Sequence, residues 1–498
     1  MKLTGQSLVA GKWLGSSEHG EFQAFSPAGN RPLETLFFNI NREQLNTAIN
    51  AADSAFLEYR KTSYQQRAAF LDCIAEQILL LGDKLVAQTH QETNLPLARL
   101  QGERMRTVNQ LKAFASALRT NPDSPLGLKI VDEADATRTP LPKPHTELNY
   151  LPLGPVAVFG ASNFPYAFST LGGDTAAALA AGCPVIVKNH TAHPGTGELM
   201  ARAALAAIKQ CAMPVGVFAM VQSKAYATSH QLVAAPAIKA VGFTGSFNVA
   251  STLQATIEKR DEPIPFYGEL GSINPQIVLA NKALNQGDEI ATALCQSMLM
   301  GNGQFCTSPG LWLIPAGCDE LEASIARSIS SAASDTLLTP GIVKTFKRQI
   351  IQRNELSAIS LLAKGQLTED FHANAHVFSC DVDNYLAQPL LREEVFGPAA
   401  LVVRYDSEQQ LMTMISQLEG QLTASIHGTQ DDLAKAGHFI EALQYKVGRL
   451  IQNQMPTGVE VCGSMNHGGP FPSSTDVRST SVGTNAMLRF MRPICYQA

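Results

Sequence analysis

The chain has 498 residues, 45% hydrophobic and 16% charged, with a formal net charge of -5 and a pI near 6.1. That length exceeds what one growing core sustains and predicts two or more domains. Sparse charge, against roughly 25% in typical soluble domains, predicts surface buried between subunits of a homodimer or homotetramer; the absence of a basic stripe excludes nucleic acid as a partner, and the absence of an apolar run of about 18 residues excludes a membrane span.

The nine cysteines, at 73, 183, 211, 295, 306, 318, 380, 462 and 495, form no CxxC or other metal-ligand spacing, so no metal site is expected. Their odd count, and an opening Met1-Lys2-Leu3-Thr4-Gly5-Gln6 without a charged and then apolar leader, predict a reducing compartment, the cytoplasm.

Residues 1–40 are turn-rich, with a strand candidate at 9–14. Three helical segments are expected next. The clearest starts at Ser63, where Ser63-Tyr64-Gln65-Gln66 has capping-box spacing ahead of Ala69, Phe70, Ile74, Ile78 and Leu81. Another covers about 95–118, with Arg104, Arg106 and Gln110 among its polar positions. Prolines then break 121–151 into extended pieces, predicting a projecting β arm.

From Pro155 strands alternate with helices: strand 156–160, helix 166–181, strand 185–188, helix 195–210, strand 217–221, helix 224–234 and strand 238–243. Such alternation implies parallel strands with right-handed crossovers, a doubly wound sheet. A second series follows Pro275, with strands at 276–279, 311–314, 400–403, 422–426 and 449–452, one helix reaching from the first of these to about 300, and a last strand at 489–496. Residues 338–384 carry no clear pattern.

Sheets of this kind bind ligands beyond the C-terminal ends of their strands. Two strand ends are small and polar, Phe159-Gly160-Ala161-Ser162-Asn163-Phe164-Pro165 and Gly242-Phe243-Thr244-Gly245-Ser246. The latter opens a helix whose free amides suit a phosphate, or it is only a turn; Ala250 stands where a later glycine would extend the pattern. The stretch Gly301-Asn302-Gly303-Gln304-Phe305-Cys306-Thr307-Ser308-Pro309-Gly310 holds one cysteine and no charge, on a backbone that small residues let approach other groups closely. Cys306 is either a nucleophile, which needs the thiolate, or one more buried apolar residue.

Together with Lys188, Glu269-Leu270-Gly271 and Glu394-Val395-Phe396-Gly397-Pro398, these motifs resemble the NAD(P)-dependent aldehyde dehydrogenase superfamily over nearly the whole chain. The wording of 154–165, Phe266-Tyr267-Gly268-Glu269-Leu270-Gly271 and the glycine-rich loop 467–472 look most like α-ketoglutarate semialdehyde (2,5-dioxovalerate) dehydrogenases and NADP-dependent fatty aldehyde dehydrogenases. The resemblance implies two doubly wound α/β domains plus a β arm: 1–120 and 152–268 for NAD(P), 269–479 for catalysis, and 121–151 with 480–498 for oligomerisation. The resemblance also implies that members of that branch continue past the position of Ala498.

It also implies roles. Cys306 would attack an aldehyde, Asn163 and the Cys306 N–H would hold the oxyanion of the thiohemiacetal, and Glu269 would activate the water that cleaves the thioester. Lys188 would reach the adenosine ribose, Gly245 and Ser246 the pyrophosphate, and Glu394 and Phe396 the nicotinamide ribose. Thr191 replaces the glutamate of many NAD-preferring relatives, which favours NADP and leaves NAD open.

For the substrate, Arg106 at the channel mouth either grips the distal carboxylate of a dioxo acid as a bidentate pair or is a solvated surface group. A fatty aldehyde would need a tunnel from Phe164, Phe168, Leu171 and Phe471. The leading function is hydrolytic oxidation of α-ketoglutarate semialdehyde to 2-oxoglutarate, with a fatty or broad-range aldehyde as the alternative. Acyl transfer to coenzyme A, which a water-activating Glu269 argues against, and a non-catalytic cofactor-binding role remain as other classes.

Overall fold

The computed structural model describes residues 2–120 and 124–498, so the start of the expected arm, 121–123, lies outside the described residues. Two seven-stranded sheets organise the chain. The first runs Phe266–Glu269, Ala240–Thr244, Val156–Phe159, Val185–Lys188, Phe218–Val221, Ser7–Val9, Lys12–Leu14, parallel except for its last two strands. The second runs Ser360–Lys364, His376–Asp381, Ala399–Tyr405, Leu311–Pro315, Gln276–Val278, Gln421–His427, Val447–Gln452, parallel except for its first.

Continuous apolar runs form these strands because both faces are covered by helices. Alternate residues enter opposite cores: Val156 and Val158 join one cluster while Ala157 and Phe159 join the other. In the second sheet Leu311 and Leu313 oppose Trp312 and Ile314 in the same way.

Several expectations need correction. The strand candidate 9–14 is a tight hairpin, because Ala10 and Gly11 both take positive φ (47° and 74°), as a two-residue primed turn requires. The early helices number four, not three: Arg42–Tyr59, Tyr64–Leu80, Gly82–Thr93 and Leu97–Thr120. Ser63 does cap the second through the expected capping box with Gln66.

The helix expected over 166–181 begins only at Gly173. Ahead of it, the Tyr166 and Ala167 amides donate to buried Glu103 Oε1 at 2.8 and 3.0 Å, so they are committed before a helical turn can form. The helix following Val278 is broken at Gln286 into Ala280–Asn285 and Gly287–Leu299. The stretch 338–384 contains the helix Pro340–Asn354, capped by Thr339, and the strands Ser360–Lys364 and His376–Asp381.

Thr146–Pro152 pairs antiparallel with Met491–Gln497 on one side and Ile130–Asp132 on the other, making a separate three-stranded sheet. Ile130 and Val131 on its edge are exposed. Among the described residues no helix is long and apolar enough to cross a membrane.

Candidate active site

Strand register brings the distant motifs together. Lys188 is level with Phe159, Phe243 is level with Phe159, and Thr244 is level with Glu269, so four parallel strands end in one row. The residues just beyond that row, 160–163 and Gly245-Ser246, therefore open on the same edge as Glu269. The loop carrying Cys306 precedes Leu311–Pro315 of the second sheet and is tied to it by Gly310 N–H donating to Ile273 O at 2.9 Å.

Glycine is required in that loop. Gly303 has φ 71°, and a Cβ there would meet the Gly397 carbonyl oxygen at 2.0 Å, so the thiol loop lies directly on the backbone that follows Glu394 and Phe396. Asn274 fixes the loop from below, its Nδ2 donating to the carbonyls of Cys306 and Ser308 at 2.9 Å each. Asn163 Nδ2 donates to Gln304 O at 2.9 Å, which leaves the second amide N–H of Asn163 uncommitted among the described hydrogen bonds. Arg99 locks the two segments, bonding Asn163 O at 2.7 Å and lying over the Phe164 and Phe305 rings.

Glu269 is buried beside the thiol. Ser481 Oγ donates to its Oε2, and His467 Nε2 lies 2.8 Å from its Oε1 and 3.5 Å from Cys306 Sγ. Burial works against the carboxylate's charge, but His467, Ser481 and Cys306 outweigh it and hold its pKa below the ordinary carboxylate range. For Cys306 the balance is opposite: burial, then the Glu269 and Glu394 carboxylates, push the thiol well above its usual pKa. The resting site is thus an ionised carboxylate beside a neutral thiol, and both shifts oppose passage of the proton between them until the sulfur begins to bond carbon.

Two cavities meet at Cys306. A groove of about 590 Å³ is lined by Lys188, Thr191, Gly245, Ser246, Glu394 and Phe396, and it reaches Asn163, Glu269 and Cys306. All six residues expected to hold the cofactor therefore share one groove with the three expected catalytic residues. Ala250 is fully buried in the core under its helix and is not among the residues that line the groove. A second cavity, of about 780 Å³, approaches Cys306 from the other side past Arg106, Phe164, Phe168 and Arg449.

Leu171 and Phe471 belong to neither cavity. Leu171 is 1% exposed within the helical core. Phe471 is 63% exposed and packs edge-on against Phe247, 5.8 Å between centroids. Sequence reasoning missed Arg449, Asn274 and Ser481, none of which stands in a motif. His467 was visible only as part of a glycine-rich loop.

Comparison with known proteins agrees with this geometry. The model of the aldehyde dehydrogenase family matches residues 13–492. The chain is 42% identical over 501 residues to "Alpha-ketoglutaric semialdehyde dehydrogenase 2" of Azospirillum brasilense, covering 100% of this chain and 95% of that one. It is 42% identical over 472 residues to "Alpha-ketoglutaric semialdehyde dehydrogenase" of Acinetobacter baylyi, covering 94% and 89%. The fold is shared with the crystal structure of aldehyde dehydrogenase 21 from Physcomitrella patens in complex with the reaction product succinate, at a TM-score of 0.83 and 18% identity over 99% of this chain and 98% of that one. A family match spanning almost the entire sequence and a fold of two mostly parallel seven-stranded sheets lead to one conclusion: this chain belongs to the aldehyde dehydrogenase family and is an aldehyde-oxidising oxidoreductase.

Proposed function

We propose that the chain oxidises α-ketoglutarate semialdehyde to 2-oxoglutarate with NADP, through a thiohemiacetal and then a thioester on Cys306. The observation that carries the substrate class is a pair of guanidinium groups in the cavity leading to the thiol. Arg106 Nη2 and Arg449 Nε are both buried there without a hydrogen-bond partner. A carboxylate at the far end of a short aldehyde satisfies them, and a plain alkyl chain leaves them unmet. The names of the two relatives at 42% identity point to the same acid.

In this reading Glu269 takes the thiol proton as Cys306 Sγ bonds the aldehyde carbon, and the oxyanion is held by the free Asn163 N–H and the Cys306 backbone N–H. The nicotinamide, when bound, supplies the acceptor for the hydrogen lost from carbon. Glu269 releases the thiol proton to solvent and, ionised again, removes a proton from the water that cleaves the thioester, while His467 and Ser481 keep its carboxylate turned inward.

A panel of aldehydes with NADP, with and without coenzyme A, tests the assignment: turnover is independent of coenzyme A and fastest with α-ketoglutarate semialdehyde. Arg106→Ala raises KM for that substrate about tenfold or more, the worth of one charged hydrogen bond, and leaves KM for hexanal unchanged. Equal effects on both substrates would remove the carboxylate-binding role.

The residues of the groove fit a phosphate-bearing cofactor. Lys188 has no ion-pair or side-chain hydrogen-bond partner among the described residues, and burial lowers its pKa to about 8. Lys224 and Thr191 line the same groove. An unmatched cation with no opposing carboxylate suits the 2′-phosphate of NADP. Because Lys188 must be charged to hold a phosphate, NADP affinity in a titration weakens as pH rises through about 8. Lys188→Met removes that pH dependence and weakens NADP by about tenfold; an unchanged profile would assign the phosphate to other groups.

In the same proposal 1–120 with 152–268 forms the cofactor domain, 269–479 supplies the thiol, and 121–151 with 480–498 forms the arm through which copies associate. The exposed edge strand Ile130–Asp132 supports that association. Nine free cysteines support a cytoplasmic setting.

A further inference from the structure

Glu269, Cys306 and His467 present a carboxylate oxygen, a sulfur and an imidazole nitrogen that all lie within 4.8 Å of one another, the one such trio of metal-ligand types among the described residues. From it we infer that the trio is a zinc-binding site, at which Zn²⁺ blocks the enzyme reversibly by capturing its nucleophile and its base in one complex.

The donor set is that of zinc: thiolate, imidazole and carboxylate, with three protein ligands and a fourth position left open. Bonds of about 2.0–2.3 Å in a tetrahedron hold ligand atoms roughly 3.3–3.7 Å apart. His467 Nε2 already stands 3.5 Å from Cys306 Sγ and 2.8 Å from Glu269 Oε1, so insertion of the ion needs the carboxylate to shift by about half an ångström.

Glu269 Oε1 is buried with no aligned hydrogen-bond donor, although the other oxygen of the same carboxylate is taken by Ser481. With Oε1 2.8 Å from the imidazole and the sulfur close by, the 5%-exposed Glu269 completes a compact, buried set of three ligand atoms. Glu269 lines the 590 Å³ groove and Cys306 lines both that groove and the 780 Å³ cavity, which gives an ion its way in and leaves room for a water as fourth ligand.

Coordination releases the thiol proton to solvent as the S–Zn bond forms, and no electrons are transferred. Arg106 and Arg449 face the same cavity and oppose a cation, so both anionic ligands are needed to hold it. The ion therefore competes with the aldehyde and shields the sulfur from alkylation.

The test uses the full chain in a buffer of fixed free Zn²⁺, with bound metal measured after equilibrium dialysis as well as activity. Wild type binds one Zn²⁺ per chain, loses activity in step with binding, and recovers it on addition of EDTA. Cys306→Ser and, separately, Glu269→Gln each lower Zn²⁺ affinity by about 10–100-fold or more, at least the loss seen when an outer partner of a zinc ligand is removed. With Co²⁺ in place of zinc, wild type shows a thiolate-to-metal charge-transfer band that Cys306→Ser lacks. Unchanged Zn²⁺ affinity in Cys306→Ser places the metal on one of the other cysteines and overturns the inference, as does inhibition without stoichiometric binding. Because dialysis reads metal and not turnover, the result stands whichever aldehyde proves to be the substrate.

Discussion

On the proposed function, Cys306→Ser is expected to lower NAD(P)H formation by about 10⁴-fold or more, the scale of losing a covalent nucleophile, while the melting temperature and cofactor affinity stay near those of wild type. The site itself dictates so large a loss. Burial and the Glu269 and Glu394 carboxylates raise the pKa of whatever acid stands at position 306. A thiol starts low enough for Glu269 to deprotonate it during attack; a hydroxyl starts several units higher and meets the same opposing charges. The substitution is nearly isosteric, and the loop is held through Gly303, Asn274 and Gln304 with no bond to the sulfur needed. Loss of activity together with loss of folding, or a residual rate within tenfold of wild type, would move the nucleophile elsewhere.

What could be foreseen and what could not divide along the range of the interactions. The sheets were legible because a strand covered on both faces is an uninterrupted apolar run, as in 156–159 and 185–188. Ser63 was legible because a capping box is complete within four residues. Cys306, Glu269 and Asn163 were expected together through the resemblance; parallel register brings the loop of Asn163 and Glu269 to one edge, and the Cys306 loop of the second sheet reaches the same groove.

Phe164, Phe168 and Leu171 were expected, with Phe471, to form the apolar tunnel that a fatty aldehyde would need. The segment is not helical there, because Glu103 binds the Tyr166 and Ala167 amides. Phe164 and Phe168 consequently face the cavity, whereas Leu171 turns into the core. Arg449 and Ser481 lie 143 and 175 residues beyond Cys306 in sequence and carry no local signature. Their contribution exists only because Val447–Gln452 is the edge strand of the second sheet and because 467–481 folds back over Glu269.

Glu269→Gln is expected to separate two effects that a single carboxylate now combines. Without a base for water the thioester persists, so steady turnover falls about 10²–10⁴-fold, while rapid mixing still yields a burst close to one reduced cofactor per functional site, formed more slowly because the thiol proton must leave to solvent. The same substitution deletes a negative charge next to the thiol. That charge helps to raise the Cys306 pKa, so its removal lowers it, and the pH midpoint for alkylation of the free enzyme by iodoacetamide moves down. The variant is slower in catalysis yet has a more acidic thiol. His467 and Ser481 keep a neutral amide in place through the contacts they make to the carboxylate, so the change is one of charge more than of position. A midpoint that stays or rises would mean that Glu269 does not face the sulfur in solution. A missing burst would mean that no thioester forms without Glu269, so that the step limited by its loss is attack by the thiol and not hydrolysis.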